Sequence, residues 1–293
     1  MAEIHAWLRD AVVHPARRWR RLAQARTMAR IDSARFDCPV CGYHGIFIPV
    51  GGPLGMRKYG LCPACGAFER HRLEAKVLEK ILAPFDPAQR SCLHFAPEPG
   101  LANLLRRRFG EYHTSELTDT SADIVGDLRD LPIPGASYDF VLASAILEHI
   151  QEDRLAMAEI YRILKPGGMA VLYVPIVADA TIEYPEPVES EDFHVRAPGT
   201  DYFDRCREFF DAVRVFTSAD FSERNQLYIY EDRSHGATAN TPYRKPMLGE
   251  RHLDYVAVCL KEPCDIARRE GSGGRLQPHH GTAGTILDLA PAE

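Results

Sequence analysis

The chain has 293 residues, 45% hydrophobic and 26% charged, an ordinary globular composition with length for one full α/β domain and a small accessory module. No run approaches the ~18 uninterrupted apolar residues of a membrane span, and the first residues lack the basic, apolar and small-residue order of a secretory signal, so a cytoplasmic location is expected. The net charge of -6 conceals a segment of opposite sign: residues 1–30 carry seven Arg against Glu3 and Asp10, which leaves an acidic main body and argues against a broad nucleic-acid surface.

Residues 1–35 read as a basic amphipathic helical segment, with Trp7, Leu8, Val12, Trp19, Leu22 and Met28 among the arginines. Pro15 is expected to break or kink it, and Trp7 and Trp19 to pack on the neighbouring domain. Residues 36–67 change to short Gly- and Pro-rich stretches around Cys38-Pro-Val-Cys41-Gly and Cys62-Pro-Ala-Cys65-Gly. The two pairs stand 20 residues apart, the spacing of a four-thiolate zinc ribbon. Four thiolates fill a tetrahedral ion completely, so Cys38, Cys41, Cys62 and Cys65 are expected to hold a structural Zn2+ with no open position for catalysis. Cys92 and Cys259 lie in apolar runs where a thiol acts as a small hydrophobe, and Cys206 and Cys264 receive no role.

Residues 68–262 form the larger unit. A helix over 68–82 places Leu73, Val77, Leu78, Ile81 and Leu82 on one face, and Pro84 and Pro87 end it. Strand-like runs at 92–96, 112–117, 123–127, 140–144 and 169–175 then alternate with helices at 100–109 and 152–164. That alternation implies a doubly wound, mostly parallel sheet. An acidic, proline-containing loop at about 178–200, a helix near 200–210 and strands at 213–216 and 255–260 follow. Residues 263–293, with His279 and His280, read as a flexible tail.

Three stretches carry more than architecture: Asp127-Leu128-Arg129-Asp130-Leu131-Pro132, Ser137-Tyr138-Asp139-Phe140-Val141, and Leu164-Lys165-Pro166-Gly167-Gly168. In this order they resemble the D-x-x-x-L-P, S-F-D-x-V and L-K-P-G-G elements of class I, Rossmann-like S-adenosylmethionine-dependent methyltransferases of the type 11 kind. With the zinc ribbon, Glu69-Arg70-His71-Arg72, the Leu93–Glu98 run and His194-Val195-Arg196, residues 36–260 are similar to a bacterial group within that class. The resemblance implies a seven-stranded sheet and S-adenosylmethionine as cofactor.

Ligands of such sheets bind beyond the carboxyl ends of the strands. The resemblance therefore makes Ala96, Glu98 and Gly100 the first cofactor loop, Glu116 the acid that meets the ribose, Asp127 with Leu128 the adenine contacts, and Ser144 a residue near the transferable methyl group. The first loop departs from the class: His94-Phe95-Ala96-Pro97-Glu98-Pro99-Gly100 keeps one glycine of the usual set, and Glu98 is expected to take over a polar contact to the methionine part. His149 and His194 are the candidate bases, and Arg196 either an acceptor ligand or a loop brace with Asp192 or Asp201. His71 and Arg72 either approach the site or occupy a solvated helix face. A small-molecule acceptor is slightly favoured over nucleic acid. The alternative is a nucleic-acid-binding zinc-ribbon protein whose Rossmann-like domain is an inert scaffold. A nicotinamide-binding fold is disfavoured because the first loop lacks G-x-G-x-x-G.

Overall fold

The computed structural model describes residues 15–52, 55–231, 233 and 249–262. Trp7, Cys264, His279 and His280 lie outside them, as does the whole of the expected tail.

Helix α1 (Pro15–Met28) opens the described chain. Pro15 is the first described residue of this helix, a position where its missing N–H costs nothing. Trp19 is 69% exposed, which overturns its expected packing role. The ribbon meets this helix through Ala25 and Met28 instead.

The ribbon consists of two antiparallel pairs, β1 (Phe36–Asp37) with β2 (His44–Gly45), and β3 (Ile48–Gly52) with β4 (Gly55–Leu61). Both cysteine turns close with the same two bonds: Cys38 N–H to Tyr43 O and Gly42 N–H to Cys38 O, then Cys62 N–H to Ala67 O and Gly66 N–H to Cys62 O. Gly42 and Gly66 sit at φ +74° and +80°, the left-handed conformation each turn needs. Ile46, Phe47, Ile48 and Tyr59 supply the small core beneath.

Helix α2 (Glu69–Leu82) leads into a seven-stranded sheet of β5 (Ser91–Phe95), β6 (Glu111–Glu116), β7 (Ile124–Val125), β8 (Tyr138–Ser144), β9 (Leu164–Tyr173), β12 (Ala212–Thr217) and β15 (Tyr255–Leu260). The order is β12-β15-β9-β8-β5-β6-β7; the five strands from β5 to β9 run parallel, and β15 runs antiparallel between β9 and β12. Strands β5 and β8 are covered on both faces, which is why they read as near-continuous apolar runs. Helices α3 (Pro99–Arg106), α4 (Asp153–Ile163) and α5 (Tyr202–Arg207) flank the sheet, and Leu93, Val141, Leu147, Met157, Ile160 and Leu172 form the centre of its core.

The segment after α4 stops the helix, with Gly167 at φ +79°. Lys165, however, does not serve the helix end. Its Nζ lies 2.7 Å from Asp139 Oδ2, and the same carboxylate accepts the Ser91 backbone N–H at 3.0 Å. Burial alone would raise the Asp139 pKa, but Lys165 and Ser91 hold it at about 2. The expected acidic loop is in fact a hairpin, β10 (Ile182–Val188) with β11 (His194–Ala197), whose register shifts between Glu183 and Val188. Two further short strands, β13 (Ile229–Glu231) and β14 (Glu250–His252), pair with each other.

Candidate active site

Because β5 to β9 are parallel, their carboxyl ends share one edge of the sheet, and the loops that follow them meet there. Ala96 turns the chain after β5 at φ +43°, doing with a strained alanine what a glycine usually does. Glu98 stands at the start of α3 and is 5% exposed. Its Oε2 lies 3.3 Å from His94 Nε2, and its Oε1 lies 3.3 Å from His71 Nε2, off the angle of a full hydrogen bond. The Phe68 backbone N–H donates to His71 Nδ1 at 3.3 Å, which leaves the ring proton on Nε2, facing the carboxylate. Burial would raise the Glu98 pKa, yet His71 and His94 pull it well below the ordinary range. A buried, ionised carboxylate thus marks the first loop. Gly100 has a different neighbour: a Cβ there would stand 3.0 Å from Val40 of the ribbon, so its bareness serves ribbon packing.

Glu74, one turn beyond Arg70 on α2, is fully buried beside Ser144 at the end of β8. Burial first, and the neighbouring Glu98 second, push its carboxyl well above the usual range. Both Glu74 oxygens, Ser144 Oγ and Arg70 Nε lie outside hydrogen-bond geometry with any described residue. Nearby, Asp254 before β15 accepts the Tyr255 N–H at 3.0 Å, and burial raises its pKa to about 7. Tyr173 at the end of β9 and the Arg57–Glu69 pair at 3.5 Å complete this acid-rich nest. Unmatched buried polar atoms are costly and concentrate where a ligand supplies the partner. The sequence reading missed Glu74 and Asp254. For Glu74 a signal existed, since it interrupts the apolar stripe of Val77, Leu78 and Ile81.

Further along the edge, Glu116 closes β6, and Asp127 follows β7. The Arg129 guanidinium clasps Asp127 at 2.6 to 3.1 Å and holds its pKa low. Leu128 is buried in the core, so its side chain supports this loop from below.

His149 ends the short turn Leu147–His149, and His194 opens β11; their rings stand 4.7 Å apart at 80°. Arg196 is buried and holds that turn to the hairpin through Leu147 O at 2.7 Å, Ile150 O at 2.8 Å and Gln151 O at 2.9 Å. It is a brace, but its acidic partners are Glu183 and Asp153, whereas Asp201 accepts from Thr181. His71 and Arg72 are both buried, which overturns the solvated helix face. Arg72 donates to Tyr59 O, Gly60 O, Ala67 O and Gln226 O from above the Phe47 ring.

In the ribbon, Cys38 Sγ to Cys65 Sγ and Cys41 Sγ to Cys62 Sγ are each 3.7 Å, and all four sulfurs lie within 4.8 Å of one another. Tetrahedral thiolates at a Zn–S length of ~2.3 Å stand about 3.8 Å apart, whereas a disulfide needs ~2.05 Å.

Residues 90–172 match the methyltransferase domain family. A relative from Mycolicibacterium smegmatis, named a probable S-adenosylmethionine-dependent methyltransferase, is 26% identical over 62% of this chain and 76% of its own length. The malonyl-[acyl-carrier protein] O-methyltransferase of Serratia marcescens is 27% identical over 29% of each chain. A solved S-adenosylmethionine-dependent methyltransferase from Archaeoglobus fulgidus superposes with a TM-score of 0.40 at 15% identity, covering 64% of this chain and 92% of that one.

Proposed function

Since residues 90–172 are a methyltransferase domain and the chain is an S-adenosylmethionine-dependent methyltransferase of the class I fold, we propose that it methylates a small molecule at the carboxyl edge of β5 to β9. The observation that carries this is the nest of buried acids there. S-adenosylmethionine bears a sulfonium and an ammonium charge, and the buried, ionised Glu98 offers a fixed negative group to pair with one of them. When bound, the cofactor supplies an electrophilic methyl group. Ala96 and Glu98 would hold its methionine part, Glu116 the ribose hydroxyls, Asp127 the adenine amino group above Leu128, and Ser144 the region of the methyl. Gly100 would contribute by keeping α3 against the ribbon. His149 and His194, whose rings stand together, would face the acceptor and take its proton if it is a hydroxyl and no metal holds it.

The ribbon, residues 36–67, would carry one structural Zn2+ and the domain over 68–262 the chemistry. Arg72 and Arg21 lie close enough to the thiolates to offset the surplus negative charge of a four-sulfur centre. A small-molecule acceptor is favoured by the acidic charge balance and by relatives named for a malonyl-carrier and a menaquinone precursor. The inert-scaffold alternative gains no support from these relatives. Among the described residues no helix is long and apolar enough to cross a membrane, which agrees with a cytoplasmic enzyme.

Calorimetry with S-adenosylmethionine and S-adenosylhomocysteine tests the proposal. Both should bind the zinc-loaded protein, and Asp127→Ala and Glu116→Ala should each weaken them. A folded wild type that binds neither refutes it.

A further inference from the structure

Glu148 has no part in the cofactor site described above, yet it is buried in the turn that carries His149. Glu148, His149 and His194 each offer one ligand atom, and these atoms all lie within 4.8 Å of one another. His194 points Nε2 at Glu148 Oε1, 4.0 Å away, and Nδ1 at Glu191 Oε2, 3.8 Å away. Behind that, the Tyr184 hydroxyl donates to Glu191 at 3.0 and 3.2 Å.

This is a layered arrangement. Two imidazoles and a carboxylate converge, and an outer carboxylate, itself fixed by a tyrosine, faces the far nitrogen of one imidazole. Such an outer partner sets which nitrogen is protonated and makes the other a better ligand. Metal–ligand lengths of ~2.0–2.2 Å place the ligand atoms of one ion about 3 to 4.4 Å apart, so small side-chain rotations close these three on an ion. The backbone beneath them is held: Arg196 ties the turn to β11. Glu148 and His194 are buried while His149 is partly exposed, which gives an ion a way in.

We propose that Glu148, His149 and His194 bind a divalent transition-metal ion, separate from the four-thiolate centre, with coordination positions left for an oxygen of the methyl acceptor. Imidazole and carboxylate together suit zinc, iron or cobalt better than magnesium or calcium. The role of the open positions rests on the methyltransferase reading; the site itself does not. An acceptor hydroxyl held there by its oxygen would give its proton to water. That oxygen's electron pair would form the bond to the methyl carbon as the carbon–sulfur bond breaks, its electrons passing to sulfur to leave S-adenosylhomocysteine. The two imidazoles would then be ligands and not bases.

The test titrates the full-length, zinc-loaded chain with Co2+, followed by calorimetry and visible absorption, with S-adenosylhomocysteine binding measured on the same samples. One further equivalent of Co2+ is expected, with no thiolate-to-cobalt band, weakened at least about tenfold in His194→Ala and in Glu148→Gln. No Co2+ uptake at about 1 mM, or variants that bind it like the wild type, would overturn the site. Binding of S-adenosylhomocysteine without Co2+ removes the metal and leaves the methyltransferase reading; Co2+ without S-adenosylhomocysteine does the reverse. Retained S-adenosylhomocysteine binding also shows that a variant is folded.

Discussion

Replacing Arg72 by Ala should destabilise the protein and, with it, loosen the zinc proposed for the ribbon. The guanidinium makes five hydrogen bonds of 2.7 to 3.2 Å to four carbonyls, two of them to Gln226 O, and lies 4.4 Å from the centre of the Phe47 ring. A charged hydrogen bond is worth ~1.5–3 kcal/mol, but the five share one side chain and do not add. Removing the hub of a buried network costs about 3–5 kcal/mol, since water entering the hole satisfies only part of what is stranded. For a chain of this size ~1 kcal/mol moves Tm by about 2–4 °C, so a fall of about 10 °C is expected. Arg72→Lys should recover only part of it, because one ammonium cannot span carbonyls on β4, the second cysteine turn and residue 226. The assay is thermal unfolding by circular dichroism at fixed free zinc, paired with zinc release to a colorimetric chelator. Arg72→Ala melting within about 2 °C of wild type, with unchanged zinc retention, would refute the reasoning.

Asp254 has an ordinary carboxyl pKa of 3.8 when unfolded and about 7 when buried in the fold, so the folded state binds the extra proton between those values and stability declines as pH rises from about 4 to about 7. Asp254→Asn should flatten that slope and be the more stable form at pH 8; parallel urea-unfolding profiles for the two proteins would contradict it. Glu74→Gln removes a charge that a bound sulfonium would call out, so affinity for S-adenosylmethionine should fall more than about tenfold while neutral-sulfur S-adenosylhomocysteine loses less; equal losses by calorimetry would rule out a charge role. Cys38→Ser should lower bound zinc measured by atomic emission and lower Tm by several degrees if the four thiols hold the proposed ion, since the small ribbon core of Ile46, Phe47 and Ile48 packs around them.

The sheet strands were legible because buried parallel strands are written as apolar runs, and the four-cysteine cluster because two identical C-P-x-C-G turns stand at a fixed spacing. The β10–β11 hairpin was not, since Pro185 and Pro187 suppress a strand signal that a two-stranded ribbon tolerates on its outer edge. Burial of polar side chains was the larger loss. Arg72 finds a carbonyl 154 residues away, and no local pattern announces that. Trp19 failed in the opposite sense, an aromatic on the solvent face of an arginine-rich helix. Gly100 carries a packing constraint that the sequence does not announce, since a Cβ there would stand 3.0 Å from Val40.

Those corrections converge on α2. Consecutive residues on this helix face two different structures: His71 meets Glu98 of the loop after β5, and Arg72 meets the carbonyls of the ribbon. Arg70 and Glu74 stand on the same side as Glu98, while Gly100 and Val40 bring α3 directly against the first cysteine turn. Around the loop after β5 the structure gathers ionisable side chains, Glu98 from the loop itself and Arg70, His71 and Glu74 from α2, the helix that the ribbon anchors. The ribbon therefore packs directly against the helix that carries those side chains. The ribbon carbonyls anchor Arg72, Arg72 anchors α2, and α2 carries the imidazole that faces Glu98, so loss of the zinc proposed for the ribbon is expected to weaken S-adenosylhomocysteine binding as well.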